Sequence, residues 1–157
     1  MKPASRFHVN KEKYEEETRG LPDEFLMRRE MKEDGSKKIL IVDDQKAIRD
    51  ILADTLIYWG YQVAVASSGI EALTLFITSS FDFVLTDLTM PGVDGWTIAS
   101  QVKDKSPDTH VGVMTAQDKE GVIKKLEGSC VDFALFKPFA LEDLEHCLRN
   151  CGAAEHR

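Results

Sequence analysis

Five short apolar runs, Ile39 to Val42, Val63 to Ala66, Phe83 to Thr86, Val111 to Thr115 and Phe133 to Phe136, recur along the chain with a longer amphipathic stretch after each. Runs this short and this apolar, without polar alternation, suit strands covered on both faces. Such cover comes from a parallel sheet whose connections are helices, so the pattern selects repeated β-α units. Right-handed crossovers then put helices on both sides of a doubly wound, five-stranded α/β sheet, with strand order 2-1-3-4-5 expected.

The helical stretches carry their own signals. Ile48, Ile51, Leu52, Leu56 and Trp59 fall on one face of a helix, and Gly60 stands where a left-handed residue would end it. Shorter stripes mark Gly69 to Thr78, Trp96 to Lys105, Asp118 to Glu127 and Leu141 to Asn150, with Asp118 placed as an N-cap. At 157 residues, 43% of them hydrophobic, the chain can build one well-buried core and has little room for a second. That domain is read as residues 37–150.

Residues 1–36 differ from the rest, with many charges of both signs, including Glu15-Glu16-Glu17, and few aliphatic residues. They are expected to form a charged extension, flexible or partly helical. Within it Pro22 to Glu33 has some helical character and clusters Phe25, Leu26 and Met27, a group suited to docking on the domain or on a partner. Residues 151–157 are read as a short C-terminal tail.

A formal net charge of -7 argues against a surface for nucleic-acid phosphates or anionic lipid and in favour of protein or metal partners. Cys130, Cys147 and Cys151 are an odd count without a Cys-x-x-Cys pair, which indicates neither a disulfide framework nor a zinc site and fits a reducing compartment. With no apolar run of membrane-spanning length and no signal-peptide pattern, the expected location is cytoplasmic, with no membrane insertion.

In open α/β sheets ligands bind beyond the carboxyl ends of the strands, where strand order reverses. Polar residues gather at those positions here. Asp43 and Asp44 follow the first apolar run, Asp87 the third, Thr115 closes the fourth and Lys137 follows the fifth. Carboxylates gathered at one edge repel one another unless a cation neutralises them, and a hard divalent ion with oxygen ligands suits them. A lysine and a hydroxyl donor beside a metal-bound carboxylate can hold the charged oxygens of a phosphoryl group in flight. Asp87 is the natural acceptor, since its strand lies between the acidic pair and the threonine. Each feature alone is weak: Asp-Asp is ordinarily a turn or cap, Asp94-Gly95 a turn, and Thr115 a strand residue. Their conjunction carries the reading.

Ile39-Leu40-Ile41-Val42-Asp43-Asp44, the block Leu85-Thr86-Asp87-Leu88-Thr89-Met90-Pro91-Gly92-Val93-Asp94-Gly95, Thr115-Ala116 and Lys137-Pro138-Phe139 together resemble the receiver domains of two-component response regulators, over Lys37 to about Asn150. The resemblance implies a flavodoxin-like fold of the chemotaxis-regulator type. It implies Asp87 as phosphoacceptor, Asp44 as a direct Mg²⁺ ligand with Mn²⁺ as a possible substitute, Asp43 acting through water, and the Thr89 backbone carbonyl completing the set. Thr115 and Lys137 would each bind a phosphoryl oxygen, Lys137-Pro138 would be cis, and Pro91, Asp94 and Gly95 would launch the third helix. Thr89 and Gln117 fall where the family tunes the lifetime of the phosphoryl group.

The resemblance further implies a phosphoacceptor switch, assisting its own phosphorylation and dephosphorylation without being a dedicated enzyme. A sensor histidine kinase would supply the phosphoryl group. With only Cys151 to Arg157 after Asn150, the expectation is a stand-alone receiver, monomeric or dimerising on phosphorylation, that binds a protein target through its fourth helix, fifth strand and fifth helix. The alternative is a phosphorelay intermediate passing the group to a histidine phosphotransfer protein. An aspartyl-phosphate hydrolase would usually need a second aspartate at position 89, which is threonine, and the loop Asp43-Asp44-Gln45-Lys46 is too acidic to cradle a flavin phosphate. One departure from the family is Ala134, where an aromatic residue is common. Phe136 should share its side of the strand and Phe133 should face the other way, so the signal is expected to travel by the loop after the fourth strand.

Overall fold

A computed structural model describes residues 36–154 of the chain. The 1–36 extension, apart from Ser36, lies outside the described residues, as does the Pro22 to Glu33 segment.

Among the described residues ten elements alternate strictly: β1 (Lys38–Val42), α1 (Lys46–Tyr58), β2 (Gln62–Ala66), α2 (Gly69–Thr78), β3 (Phe83–Asp87), α3 (Gly95–Lys105), β4 (His110–Thr115), α4 (Lys119–Leu126), β5 (Phe133–Phe136) and α5 (Leu141–Ala154). All strand pairs are parallel, as the alternation predicts, and the order is β2-β1-β3-β4-β5, the order expected. Four strands gain a polar or flanking residue over the apolar runs, because backbone pairing continues past the residues whose side chains need burial. Helix α5 runs to Ala154, beyond the Asn150 expected, and carries Cys151 against the core.

Strand alternation sends side chains to two cores. Leu40, Val42, Ala64, Val84 and Val111 meet α2 and α3 through Leu75, Phe76, Ile98 and Val102. Ile39, Ile41, Phe83, Leu85 and Met114 meet α1 and α5 through Leu52, Leu56, Leu144 and Leu148. Leu88, Val113 and Val122 form a smaller cluster under α4, joined by Trp96, Ala134 and Phe136. Ala134 and Phe136 thus share a side and Phe133 packs on the other, as the period of two requires. Each fully buried aliphatic side chain contributes about 1.5–3 kcal/mol over its exposed state.

The helix ends follow local chemistry. The Ser68, Asp94 and Asp118 side chains accept from the backbone N–H groups of Glu71, Thr97 and Gly121, so Asp118 caps α4 as expected. Helix α1 closes with Gly60 at φ 93°, its N–H bonded to the Ile57 carbonyl at 2.9 Å and Tyr61 N–H to the Leu56 carbonyl at 3.0 Å. This paired closure needs a left-handed residue, which glycine adopts without strain. One expectation is corrected: Ile51, placed on the buried stripe of α1, is 56% exposed, because the space it faces between α1 and the loop after β5 is an open groove.

Candidate functional site

The β1, β3, β4 and β5 carboxyl ends deliver Asp43, Asp44, Asp87, Thr115 and Lys137 to one edge of the sheet. Strand register does the positioning: Val42 pairs with Thr86 and Asp87 with Met114, so the residues after β1 stand beside Asp87, and Thr115 is one step along. Carboxylate oxygens of Asp43, Asp44 and Asp87 all lie within 4.8 Å of one another. Asp43 is fully buried, Asp87 nearly so, and Asp44 is exposed.

Each buried group is held. Asp43 accepts from Gln45 N–H at 2.9 Å through Oδ1 and from Lys137 Nζ at 3.0 Å through Oδ2. Asp87 accepts from Thr89 N–H at 3.2 Å and, more weakly, from the same lysine at 3.4 Å. The Lys137 N–H bonds the Thr115 carbonyl at 2.7 Å, which holds the lysine backbone at the end of β5 beside the site, and the peptide to Pro138 is cis, as expected. Thr115 is buried, with Oγ1 accepting from Gln117 N–H at 2.9 Å, which leaves its hydroxyl hydrogen to donate.

Burial pushes the Asp87 carboxyl above its usual range, and the neighbouring Asp43 charge adds to this; the Thr89 N–H and Lys137 pull the other way. Desolvation and a like charge win over the hydrogen bonds, which marks a carboxylate short of positive charge. The set fits a hard divalent cation: three carboxylates in reach of one point, two of them buried, with Lys137 as built-in counter-charge.

Two supporting features have no counterpart in the sequence reading. Arg49 donates from Nη1 to the Asp43 carbonyl at 2.8 Å, tying α1 back to the acidic loop. A cation in the first turns of a helix opposes the helix dipole, and that misfit is the signal that could have found it. Gln117 Nε2 donates to Thr89 Oγ1 at 2.5 Å, bridging the loops after β3 and β4 across the site. The sequence marks both positions, but a contact between residues 28 apart has no local signature. Thr89 enters through its N–H, which donates to Asp87, where the resemblance had assigned its carbonyl. Gly95 presses so closely on β3 that an added Cβ would lie 2.6 Å from the Asp87 carbonyl oxygen.

The response regulator receiver domain family matches residues 39–149. Among curated proteins, response regulator MprA of Mycobacterium sp. is 38% identical over 108 residues, covering 68% of this chain and 46% of that protein. MprA of Mycobacterium tuberculosis is 36% identical over 110 residues, 69% of this chain and 47% of that one. The chain therefore spans about half the length of the curated relatives it matches. Among solved structures, the response regulator TrrA of Thermotoga maritima in complex with Mg²⁺-BeF superposes with a TM-score of 0.67 at 30% identity, covering 73% of this chain and 98% of that one. The chemotaxis protein CheY4 of Vibrio cholerae superposes at 0.69 with 28% identity, covering 74% and 99%.

Proposed function

From the premise that this chain belongs to the response regulator receiver domain family of two-component signalling, we propose that Asp87 accepts a phosphoryl group from a sensor histidine kinase and that the domain thereby switches its binding of a partner protein. The observation that carries this reading is the Asp87 carboxylate, buried at the end of β3 with Asp43, Asp44, Lys137 and the Thr115 loop around it. In the transfer, an Asp87 oxygen forms the bond to phosphorus while the bond from phosphorus to the donor breaks, and the donor leaves with that electron pair. Mg²⁺ held by Asp43, Asp44, Asp87 and the Thr89 carbonyl would offset the carboxylate charge and that of the phosphoryl oxygens.

The chain's own groups do the rest. Lys137 stands 3.0 Å from Asp43 and 3.4 Å from Asp87, so a modest swing of its flexible stem brings the ammonium to a phosphoryl oxygen. The Thr115 hydroxyl has a hydrogen to donate to another. Moving Thr115 moves the loop into α4, because Gln117 is bonded to Thr115 and to Thr89. With Ala134 leaving no ring to rotate, this loop carries the change to the face formed by α4, β5 and α5. A partner can shift the balance of states only by its difference in affinity for them.

The test is intact-protein mass after incubation with a small phosphodonor and Mg²⁺, beside Asp87→Asn and a chelated control. One added phosphoryl, missing from both controls, is the expected result; an unmodified, folded chain would refute phosphoryl acceptance.

A further inference from the structure

Asp43 is fastened through its backbone and its side chain. Its N–H donates to the Ala66 carbonyl at 3.2 Å, its carboxylate oxygens accept from Gln45 N–H and from Lys137, and its carbonyl accepts from Arg49 Nη1 at 2.8 Å. Asp44 is the contrast. It is exposed, and among the described residues no hydrogen bond or ion pair reaches its carboxylate, yet one of its oxygens lies within 4.8 Å of oxygens of Asp43 and Asp87.

The aim of Asp44 therefore comes from the backbone. The peptide joining Asp43 to Asp44 is planar, so the direction of the Asp43 carbonyl sets the direction in which the chain enters Asp44. Arg49 holds that carbonyl. It is itself well anchored, half-buried on α1 with its N–H donating to the Gln45 carbonyl at 3.2 Å, so both ends of the Asp43 to Gln45 loop are tied to one residue.

Electrostatics alone gives no reason for an arginine here. Helix α1 has no acidic residue in its first turn and no side-chain cap, so a cation near its start faces the positive end of the dipole. A fixed positive charge beside a cation site also competes with the cation. Both effects are unfavourable, and the geometry of the acidic loop is what the contact can offer against them.

We propose, on the reading that a divalent cation sits among the three carboxylates, that Arg49 is a positioning residue for it: by holding the Asp43 carbonyl, Arg49 keeps the Asp44 carboxylate aimed at the cluster and so raises cation affinity. The sign separates position from charge. Losing a nearby positive charge tightens cation binding, whereas losing the hold on Asp44 loosens it.

The test is Mn²⁺ titration of the full chain, followed by loss of the free-ion electron paramagnetic resonance signal and repeated with Mg²⁺ as competitor, on variants shown to be folded in chelator by circular dichroism. Arg49→Met should bind about tenfold more weakly, the low end for partners that orient a metal ligand, because Asp43 keeps its other contacts. Arg49→Gln, a shorter neutral amide, should weaken binding likewise and stands in if the methionine variant does not fold. Arg49→Lys restores a donor on a long stem and should recover about threefold or more of the loss. Lys46→Met removes an exposed cation from the same helix turn, one paired with Asp50 and not with Asp43, and should bind no more weakly than the native chain. Unchanged or tighter binding in the neutral Arg49 variants overturns the proposal. So does a lysine variant no better than they are, or an equal weakening in Lys46→Met. A folded native chain that takes up no cation overturns the metal reading and the proposal together.

Discussion

Asp43 and Lys137 stand 94 residues apart in the chain and 3.0 Å apart in the fold, and much of the site's electrostatics depends on that pair. Lysine is the counter-charge for two buried carboxylates, so Lys137→Met should destabilise the metal-free chain by about 2–3 kcal/mol in urea unfolding, below the range for a fully buried pair because the lysine is partly exposed. Asp87→Asn should act in the opposite direction. Burial raises the folded-state pKa of Asp87 above the ordinary 3.8, so the folded chain holds that proton more tightly than the unfolded one. The contribution favours folding below the unfolded value and is lost as pH rises through the folded one, where the ionised carboxylate weakens the fold. In chelator at pH 7 the asparagine variant should therefore be more stable, by on the order of 1 kcal/mol. Its advantage should shrink as pH is lowered toward 4, and a gap that stays constant with pH would show that charge is not the cause.

At the scale of elements, helix ends and one close helix-strand contact set the geometry. Gly95→Ala would drive a Cβ to 2.6 Å from the Asp87 carbonyl oxygen and 2.9 Å from Leu88 Cα, both backbone atoms with little freedom to yield. We expect a loss of about 2 kcal/mol or more, with a drop in phosphoryl acceptance beyond what the fraction folded explains. The contrast within α1 is sharper still. Leu52→Ala should cost about 2–5 kcal/mol because Leu52 is buried in the core, and Ile51→Ala should stay within about 0.5 kcal/mol because it faces the groove. On α4, Lys119 lies 5.5 Å from the Phe136 ring centre and Lys125 4.8 Å from that of Trp96, so cation-π contacts fasten the helix to its neighbours.

For the whole molecule, a divalent cation at the three carboxylates would link site and stability. A cation that binds only the folded chain should raise unfolding free energy by about 2.7 kcal/mol at a hundred times its Kd. Thermal melts with Mg²⁺ and with chelator should therefore separate for the native chain and coincide for Asp44→Asn. Coincident native curves at high Mg²⁺ would remove the metal from the site. The parallel sheet and the positions of Asp43, Asp44, Asp87, Thr115 and Lys137 at its edge were legible from the chain alone, because apolar runs report burial on both faces and ligand-binding polar residues follow the carboxyl ends of such strands. Asp118 as the cap of α4 and Gly60 as the end of α1 were legible for the same local reason. Only the folded chain decided that Lys137 rests nearer Asp43 than Asp87, that Arg49 ties back the acidic loop, that Gln117 bridges to Thr89, and that Ile51 faces a groove instead of the core. Those depend on distances between residues remote in sequence. A periodicity records which face of an element is apolar, but how closely two elements approach is set by packing across the whole sheet.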